Sequence, residues 1–181
     1  MSGAASFEPP PYPYDRLDEL MAVADAHEGG VIDLSIGTPC DPPPAAVVEA
    51  LGHSDAERGY PPSIGTPELR GAAANWLNRL VGTDLAAADI RATIGTKEFV
   101  AGLPHWLRLR NPSKDTVLYP AIAYPTYEMG AILARCRAVP VPVDDQWRID
   151  LSAISPDDAA RALCLWVNTP GNPAGNIDDL E

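Results

Sequence analysis

Asn168-Thr169-Pro170-Gly171-Asn172-Pro173-Ala174-Gly175 is the most informative stretch of this chain, and it directly follows an apolar run, Ala162 to Val167. Two X-Pro bonds three residues apart, each preceded by a hydrogen-bonding residue and closed by Gly175, favour one rigid loop, and either bond can be cis. A stiff polar loop at the carboxyl end of a buried strand is where open α/β sheets place ligand contacts. The stretch taken alone is equally typical of a Pro/Gly turn that leaves a sheet.

The second half of the chain alternates between short apolar runs and helical segments. This rhythm predicts a largely parallel sheet of the α/β class. We expect Ala162 to Val167 to be the most buried strand, and the run containing Pro140 and Pro142 to be an edge or irregular strand. The predicted strands are 92–94, 116–119, 138–143 and 162–167, and the predicted helices are 95–110 and 124–134.

The first half begins with an arm, residues 1–14, that is rich in Pro and aromatic side chains. A helix is predicted to follow from Asp15. Thr66 has the chemistry of an N-cap and Pro67 suits the first helical position, so a second helix is predicted to begin there and to end at Gly82.

The composition is that of a globular protein and excludes several classes. Net charge is −12 with no basic cluster, which argues against nucleic acid as a partner. No run approaches the ~20 apolar residues needed to cross a bilayer, and no secretory signal is visible. The three cysteines have no metal-binding spacing. We therefore expect a cytoplasmic protein with no membrane partner.

The pattern Asn-x-Pro-x-Asn-Pro-x-Gly resembles the pyridoxal 5'-phosphate loop of class I/II (fold type I) aminotransferases. By this resemblance Asn172 bonds the phenolic oxygen of the cofactor and Asn168 supports the loop. The resemblance implies an aspartate aminotransferase-like, three-layer α/β/α fold with a mostly parallel sheet, incomplete in this chain. It also implies an N-terminal arm and small-domain segment over residues 1–45, and the first part of the large cofactor-binding domain over residues 46–181.

Two further segments carry candidate cofactor contacts. Gly95-Thr96-Lys97-Glu98 opens a helix, where unpaired backbone N–H groups suit a phosphate dianion. Hydrogen bonds to a charged group contribute ~1.5–3 kcal/mol each, whereas the helix dipole is worth ~0.3–1 kcal/mol, so the N–H contacts dominate. The segment Tyr119 to Glu128 resembles the family's Pro-x-x-x-Tyr-Pro-x-Tyr-Glu, which assigns stacking on the pyridine ring to Tyr124. The alternative for Tyr124 is an aromatic side chain in the core.

Two earlier loops match the family less specifically. The resemblance places Ile36 and Gly37 near the substrate carboxylate, although Gly-Thr-Pro is also a common strand-ending turn. By the same resemblance, Tyr60 crosses a homodimer interface and contacts the cofactor phosphate of the partner subunit. A tyrosine packed on a Pro-rich loop is the alternative.

The lysine needed for transamination is not found. Such an enzyme needs a Schiff-base lysine, and neither Lys97 nor Lys114 follows the family's Ser-x-x-Lys pattern. The family's Asp-x-x-Tyr pair and its phosphate-binding and carboxylate-binding arginines are absent too. We expect the N-terminal half of a longer enzyme, with no catalytic residue in this chain and no transaminase activity when the chain is isolated.

A closer resemblance, carried by residues 12–17, 31–42, 94–98 and 121–128, is to actinobacterial N-succinyldiaminopimelate aminotransferases. It implies amino transfer between N-succinyl-LL-2,6-diaminopimelate and 2-oxoglutarate/glutamate. An aminotransferase of other specificity, a C–S β-lyase of the same fold and a truncated, non-catalytic chain are alternatives. A generic nucleotide-binding domain is disfavoured because GxGxxG and GxxxxGK[ST] are absent.

Overall fold

A computed structural model describes residues 7–54 and 59–178 of the chain. These residues form two compact units, one of residues 7–19 and 94–178 and the other of residues 20–54 and 59–93. The division predicted from the resemblance, at residue 45, stays a prediction.

Helix α3, Pro67–Val81, has the ends predicted from its sequence. The hydroxyl of Thr66 accepts a hydrogen bond from the backbone N–H of Leu69 at 3.2 Å, and Gly82 ends the helix at φ +75°. Both ends follow from local chemistry: an N-cap side chain pairs an orphan N–H, and Gly adopts the left-handed conformation at no steric cost. Before α3, a 3-10 helix at Pro13–Leu17 leads into α1, Asp18–Ala24, and α2 is Ala45–Gly52.

Three parallel strands form the sheet: β1, Thr116–Pro120; β2, Arg137–Val141; and β3, Ala162–Leu165. Their order is β2-β1-β3, and Leu118 of the central strand lies opposite Val139 on one side and Leu165 on the other. The predicted parallel α/β sheet is confirmed, and β2 is an edge strand as its prolines indicate.

Helices α4, Thr96–Arg110, and α5, Thr126–Leu133, pack against each other beside the sheet, and a short α6, Pro156–Arg161, precedes β3. The contact between α4 and α5 is close at Gly130, where a Cβ atom would stand 3.0 Å from the carbonyl oxygen of Ala101. The buried cluster at this junction contains Val100, Tyr119 and Tyr127.

An ionic network joins β1, β2 and α6 at the edge where β1 begins. The guanidinium of Arg161 donates to Asp115 through Nε at 2.9 Å, and the guanidinium of Arg137 lies 2.9 Å from the carboxylate of Asp158. The hydrogen bond from Arg161 holds the pKa of Asp115 below its ordinary value. The network therefore ties the start of the central strand to the helix that precedes β3.

Two expectations about strands are wrong. The most buried strand is β1, where Val117 is fully buried, whereas every residue of β3 is half-buried. The reason is position, because among the described strands β1 has a neighbour on both edges and β3 has one. The second error is residues 92–94, predicted as a strand, which pair with no strand among the described residues and leave Ile94 exposed.

Candidate cofactor site at the carboxyl ends of the strands

The order of the strands creates a crevice beside β1. From β1 the chain passes through α5 to β2 on one side, and later through α6 to β3 on the other side. The loops that follow the neighbouring strands β1 and β3 therefore lie side by side at the carboxyl edge of the sheet, which is where open α/β sheets bind ligands.

A cleft of about 450 Å³ lies at this edge, within the first compact unit. It joins the first turn of α4, the loop after β1 and the loop after β3, and its lining residues are Thr96, Lys97, Val100, Tyr124, Tyr127, Asn168 and Asn172. Five of these seven were singled out from the sequence. The structure thus brings three segments that are far apart along the chain into one cavity, while the roles of their residues stay predictions.

The first turn of α4 offers backbone N–H groups to an anion. The N–H of Phe99 donates to the carbonyl of Gly95 at 3.2 Å and closes the turn. Within residues 7–54 and 59–178, the N–H groups of Thr96, Lys97 and Glu98 have no acceptor. Gly95 has φ +127°, a conformation that favours glycine, and no neighbouring atom lies within 4 Å of where its Cβ would stand. The space beside Gly95 is therefore open to an approaching anion.

The loop after β3 holds its backbone by internal hydrogen bonds. The N–H of Gly175 donates to the carbonyl of Gly171 at 2.7 Å, and the hydroxyl of Thr169 accepts from the N–H of Asp178 at 3.0 Å. Both X-Pro bonds are cis. By contrast, the side-chain amides of Asn168 and Asn172 make no hydrogen bond to any described residue, so both are available to a ligand.

Stacked aromatic side chains form one wall of the cleft. Tyr124 meets Tyr127 edge to face, with ring centroids 6.0 Å apart and planes at 85°, and Tyr127 stacks on Trp166 at 5.1 Å and 15°. Burial, with a smaller effect from Tyr124, raises the pKa of Tyr127. This phenol therefore stays neutral above the pH at which an ordinary tyrosine ionises, and the edge contact packs its ring against Tyr124.

Sequence reasoning missed Val100, Trp166 and the dual role of Tyr127. Tyr127 packs in the buried cluster and also lines the cleft. The available signal was helical spacing, because Val100 stands one turn after Thr96 on the same face of α4.

The remaining predicted residues belong to the other compact unit. Tyr60 is fully exposed, Ile36 is 65% exposed, and no atom lies within 4 Å of where a Cβ of Gly37 would stand. Their proposed contacts, with a partner's phosphate and with a substrate carboxylate, stay predictions.

The cleft fits pyridoxal phosphate by the chemistry of its donors. Its volume lies within the ~300–1,000 Å³ typical of small-molecule sites. It has an N–H cradle for a dianion, a flat aromatic side chain and two unpaired amides. In comparisons with known proteins, the profile of the family "aminotransferase class I and II" matches residues 29–181. The chain belongs to that family. Its members depend on pyridoxal phosphate.

Individual relatives agree with this membership. A probable aminotransferase of Mycobacterium tuberculosis is 40% identical over 97% of this chain and 39% of its own length. The LL-diaminopimelate aminotransferase of Desulforudis audaxviator is 37% identical over 95% of this chain and 45% of its own length. The structure of a probable N-succinyldiaminopimelate aminotransferase from Thermus thermophilus superposes with a TM-score of 0.74 and 31% identity over 92% of this chain and 45% of that one.

The chain spans less than half the length of each of these relatives. The superposition agrees with the predicted fold type I architecture.

No helix within the described part of the chain is long and apolar enough to cross a membrane.

Proposed function

We propose that this chain supplies the phosphate cradle and ring contacts of a pyridoxal-phosphate-dependent aminotransferase. One observation carries the proposal: the unpaired N–H groups of the first turn of α4, the ring of Tyr124 and the free amides of Asn168 and Asn172 share one cleft. The glycine motifs of two common classes of nucleotide site, GxGxxG and GxxxxGK[ST], are not in the sequence.

Each group in the cleft has a distinct task toward the cofactor. The N–H groups of Thr96 and Lys97, approached past Gly95, hold the phosphate. Tyr124 lies against the ring, and the amide of Asn172 donates to the phenolic oxygen while Asn168 supports the loop. When bound, the cofactor supplies an electron sink for the electron pair left when a substrate C–H bond breaks. The chain's own residues bind and orient, and the lysine that would move the proton is not among them.

The proposed substrates are N-succinyl-LL-2,6-diaminopimelate and 2-oxoglutarate/glutamate. Support comes from the sequence resemblance and from the Thermus thermophilus structure named for that substrate. Unmodified LL-diaminopimelate is a second candidate, favoured by the relative from Desulforudis audaxviator. Both substrates share one reacting amino acid centre and differ in the group on the distant nitrogen.

The proposed assembly is a homodimer with a shared active site in the cytoplasm. Its support is Tyr60, whose ring is fully exposed in a single copy of the chain. A ring that is exposed in one copy is free to enter a second copy, which is the role that the resemblance gives Tyr60.

Titration with pyridoxal phosphate tests the cofactor site. The 181-residue chain is mixed with increasing cofactor, and binding is followed by cofactor absorbance and by quenching of tryptophan fluorescence. We expect saturable binding that Asn172→Ala weakens roughly tenfold, the cost of one hydrogen bond to a partly charged oxygen. The matched control is Asn75→Ala, since Asn75 is exposed on α3 and makes no side-chain hydrogen bond within the described residues. Equal affinities of the two variants would contradict the assignment of Asn172.

Product analysis tests the reaction. The full-length protein encoded by the reading frame is offered each diaminopimelate compound with 2-oxoglutarate, and glutamate is measured. Release of pyruvate and ammonia from a cysteine conjugate would instead identify a β-lyase. Turnover by the purified 1–181 chain would refute the expectation that it is inactive alone.

A further inference from the structure

The side chain of Lys97 is held by a tyrosine from the N-terminal arm. Its ammonium group donates to the hydroxyl of Tyr12 at 3.1 Å and lies 4.4 Å from the centroid of the same ring. The two residues are 85 positions apart and belong to the same compact unit. One end of the contact, Lys97, lines the cofactor cleft.

The arm presents one side to this unit. Tyr12 and Tyr14 are half-buried, whereas Pro13 between them and Pro11 before them are exposed. The two tyrosine rings lie 5.4 Å apart at 45°. Both rings therefore lie on the covered side of the arm and contact each other.

Tyr12 holds the ammonium without neutralising it. No carboxylate lies within 4.0 Å of Lys97 in the part of the chain that the structure describes. A carboxylate partner would cancel the charge, whereas a neutral phenol leaves it available. The hydrogen bond to Tyr12 raises the pKa of Lys97 and outweighs a smaller lowering by burial, and the amine is a cation at neutral pH as lysines ordinarily are. In a chain of net charge −12, such a cation matters to an incoming anion.

We propose that Tyr12 is a positioning residue that aims the Lys97 ammonium at the phosphate of the bound cofactor. This inference rests on the proposed cofactor site and assigns the side chain of Lys97, in addition to its backbone, to anion binding. The arm thereby couples its own docking to the phosphate cradle. A ligand without the phosphate gains nothing from the pair.

The test compares pyridoxal phosphate with pyridoxal, which lacks the phosphate, in binding titrations of the chain. Lys97→Met is expected to weaken the binding of pyridoxal phosphate about fivefold. This is the loss expected for one charge-assisted contact that is partly screened by solvent. Tyr12→Phe keeps the ring and removes the hydroxyl, so about a twofold to threefold loss is expected. Neither variant should change pyridoxal affinity. In the Lys97→Met background, Tyr12→Phe should have no further effect.

Two control variants separate positioning from general damage. Tyr14→Phe removes a hydroxyl from the same arm that bonds to no described residue, and Lys114→Met removes the chain's other lysine charge. Both should bind pyridoxal phosphate like the parent. A Tyr12→Phe effect that persists without Lys97, or that weakens pyridoxal equally, overturns the inference and leaves the cofactor site intact.

Inorganic phosphate distinguishes the two failures. If the parent chain binds no pyridoxal phosphate, the proposed function fails. The inference is then tested separately by binding of inorganic phosphate, which is measured from the NMR shifts of the N–H groups at 96–98. Phosphate binding that weakens in Tyr12→Phe supports the pair as an anion clamp. Absence of phosphate binding, or equal binding by parent and variant, overturns it.

Discussion

Substitution Gly130→Ala should destabilise the protein although alanine is the better helix former. A Cβ at this position would stand 3.0 Å from the carbonyl oxygen and 3.1 Å from the Cα of Ala101, and 3.1 Å from the carbonyl oxygen of Val100. Ordinary contacts begin near 3.4 Å. All three atoms are backbone atoms of α4, so no side chain can rotate away, and α5 must shift by a few tenths of an ångström.

The magnitude follows from two opposing effects. Overpacking a well-packed site costs ~1–3 kcal/mol, and replacing glycine in a helix returns ~1 kcal/mol. The net loss is therefore up to ~2 kcal/mol, which lowers Tm by up to roughly 4–8 °C in a chain of this size. Because Tyr127 lies on α5, the same shift should weaken binding of pyridoxal phosphate.

Circular dichroism during heating and urea titration measures both the sign and the size. The matched control is Gly71→Ala in α3, where no atom lies within 4 Å of the added Cβ. There the helix propensity acts alone, and stability should rise by up to ~1 kcal/mol. If Gly130→Ala raises Tm as Gly71→Ala does, the close contact between α4 and α5 is wrong.

Three further perturbations probe charge and stacking. Burial, with smaller effects of Glu128, raises the pKa of Tyr119 to about 12. Stability that is present below pH 10 should therefore fall by about 2 kcal/mol as pH rises from 10 to 12, and urea titrations of Tyr119→Phe should lack this loss. The hydrogen bond from Arg161 lowers the pKa of Asp115, so the stability that this carboxylate contributes is present above the ordinary carboxyl pKa and disappears as pH falls through the lowered value. Asp115→Asn should therefore flatten the decline of Tm at acid pH. An unchanged decline would exclude the ion pair as its cause. For Tyr124, a Phe substitution should preserve cofactor affinity in fluorescence titrations and an Ala substitution should cost ~0.5–1.5 kcal/mol, whereas equal losses would show that the hydroxyl, not the ring, makes the contact.

Local chemistry made parts of the fold predictable. The ends of α3 follow from a hydroxyl at Thr66 and a left-handed Gly82, which depend on no distant residue. The alternation of apolar runs and helices likewise indicated a parallel sheet. The start of α4 and the loop from Asn168 to Gly175 were placed for the same reason, since each is defined by a few adjacent residues.

Features set by neighbours in space were not predictable from adjacent residues. The segment from Ala162 has the longest apolar run, yet β1 is the more buried strand because its rank depends on which strands flank it. Residues 92–94 are apolar enough for a strand but find no partner within the described chain. In both cases hydrophobicity reports the tendency to be buried, and topology decides where burial happens.

The two lysines show that the difference between local and long-range features also applies to functional residues. From the sequence, Lys97 and Lys114 differ only in that one opens a helix and the other lies in a turn, so only the backbone of Lys97 could be given a role. The contact with Tyr12 depends on a docked arm 85 residues away, and no local pattern encodes it. If the arm does aim this ammonium, then residues outside the recognised loop control how tightly the phosphate is held. Affinity for the phosphate should therefore change with substitutions in the arm even when every residue from Gly95 to Glu98 is kept.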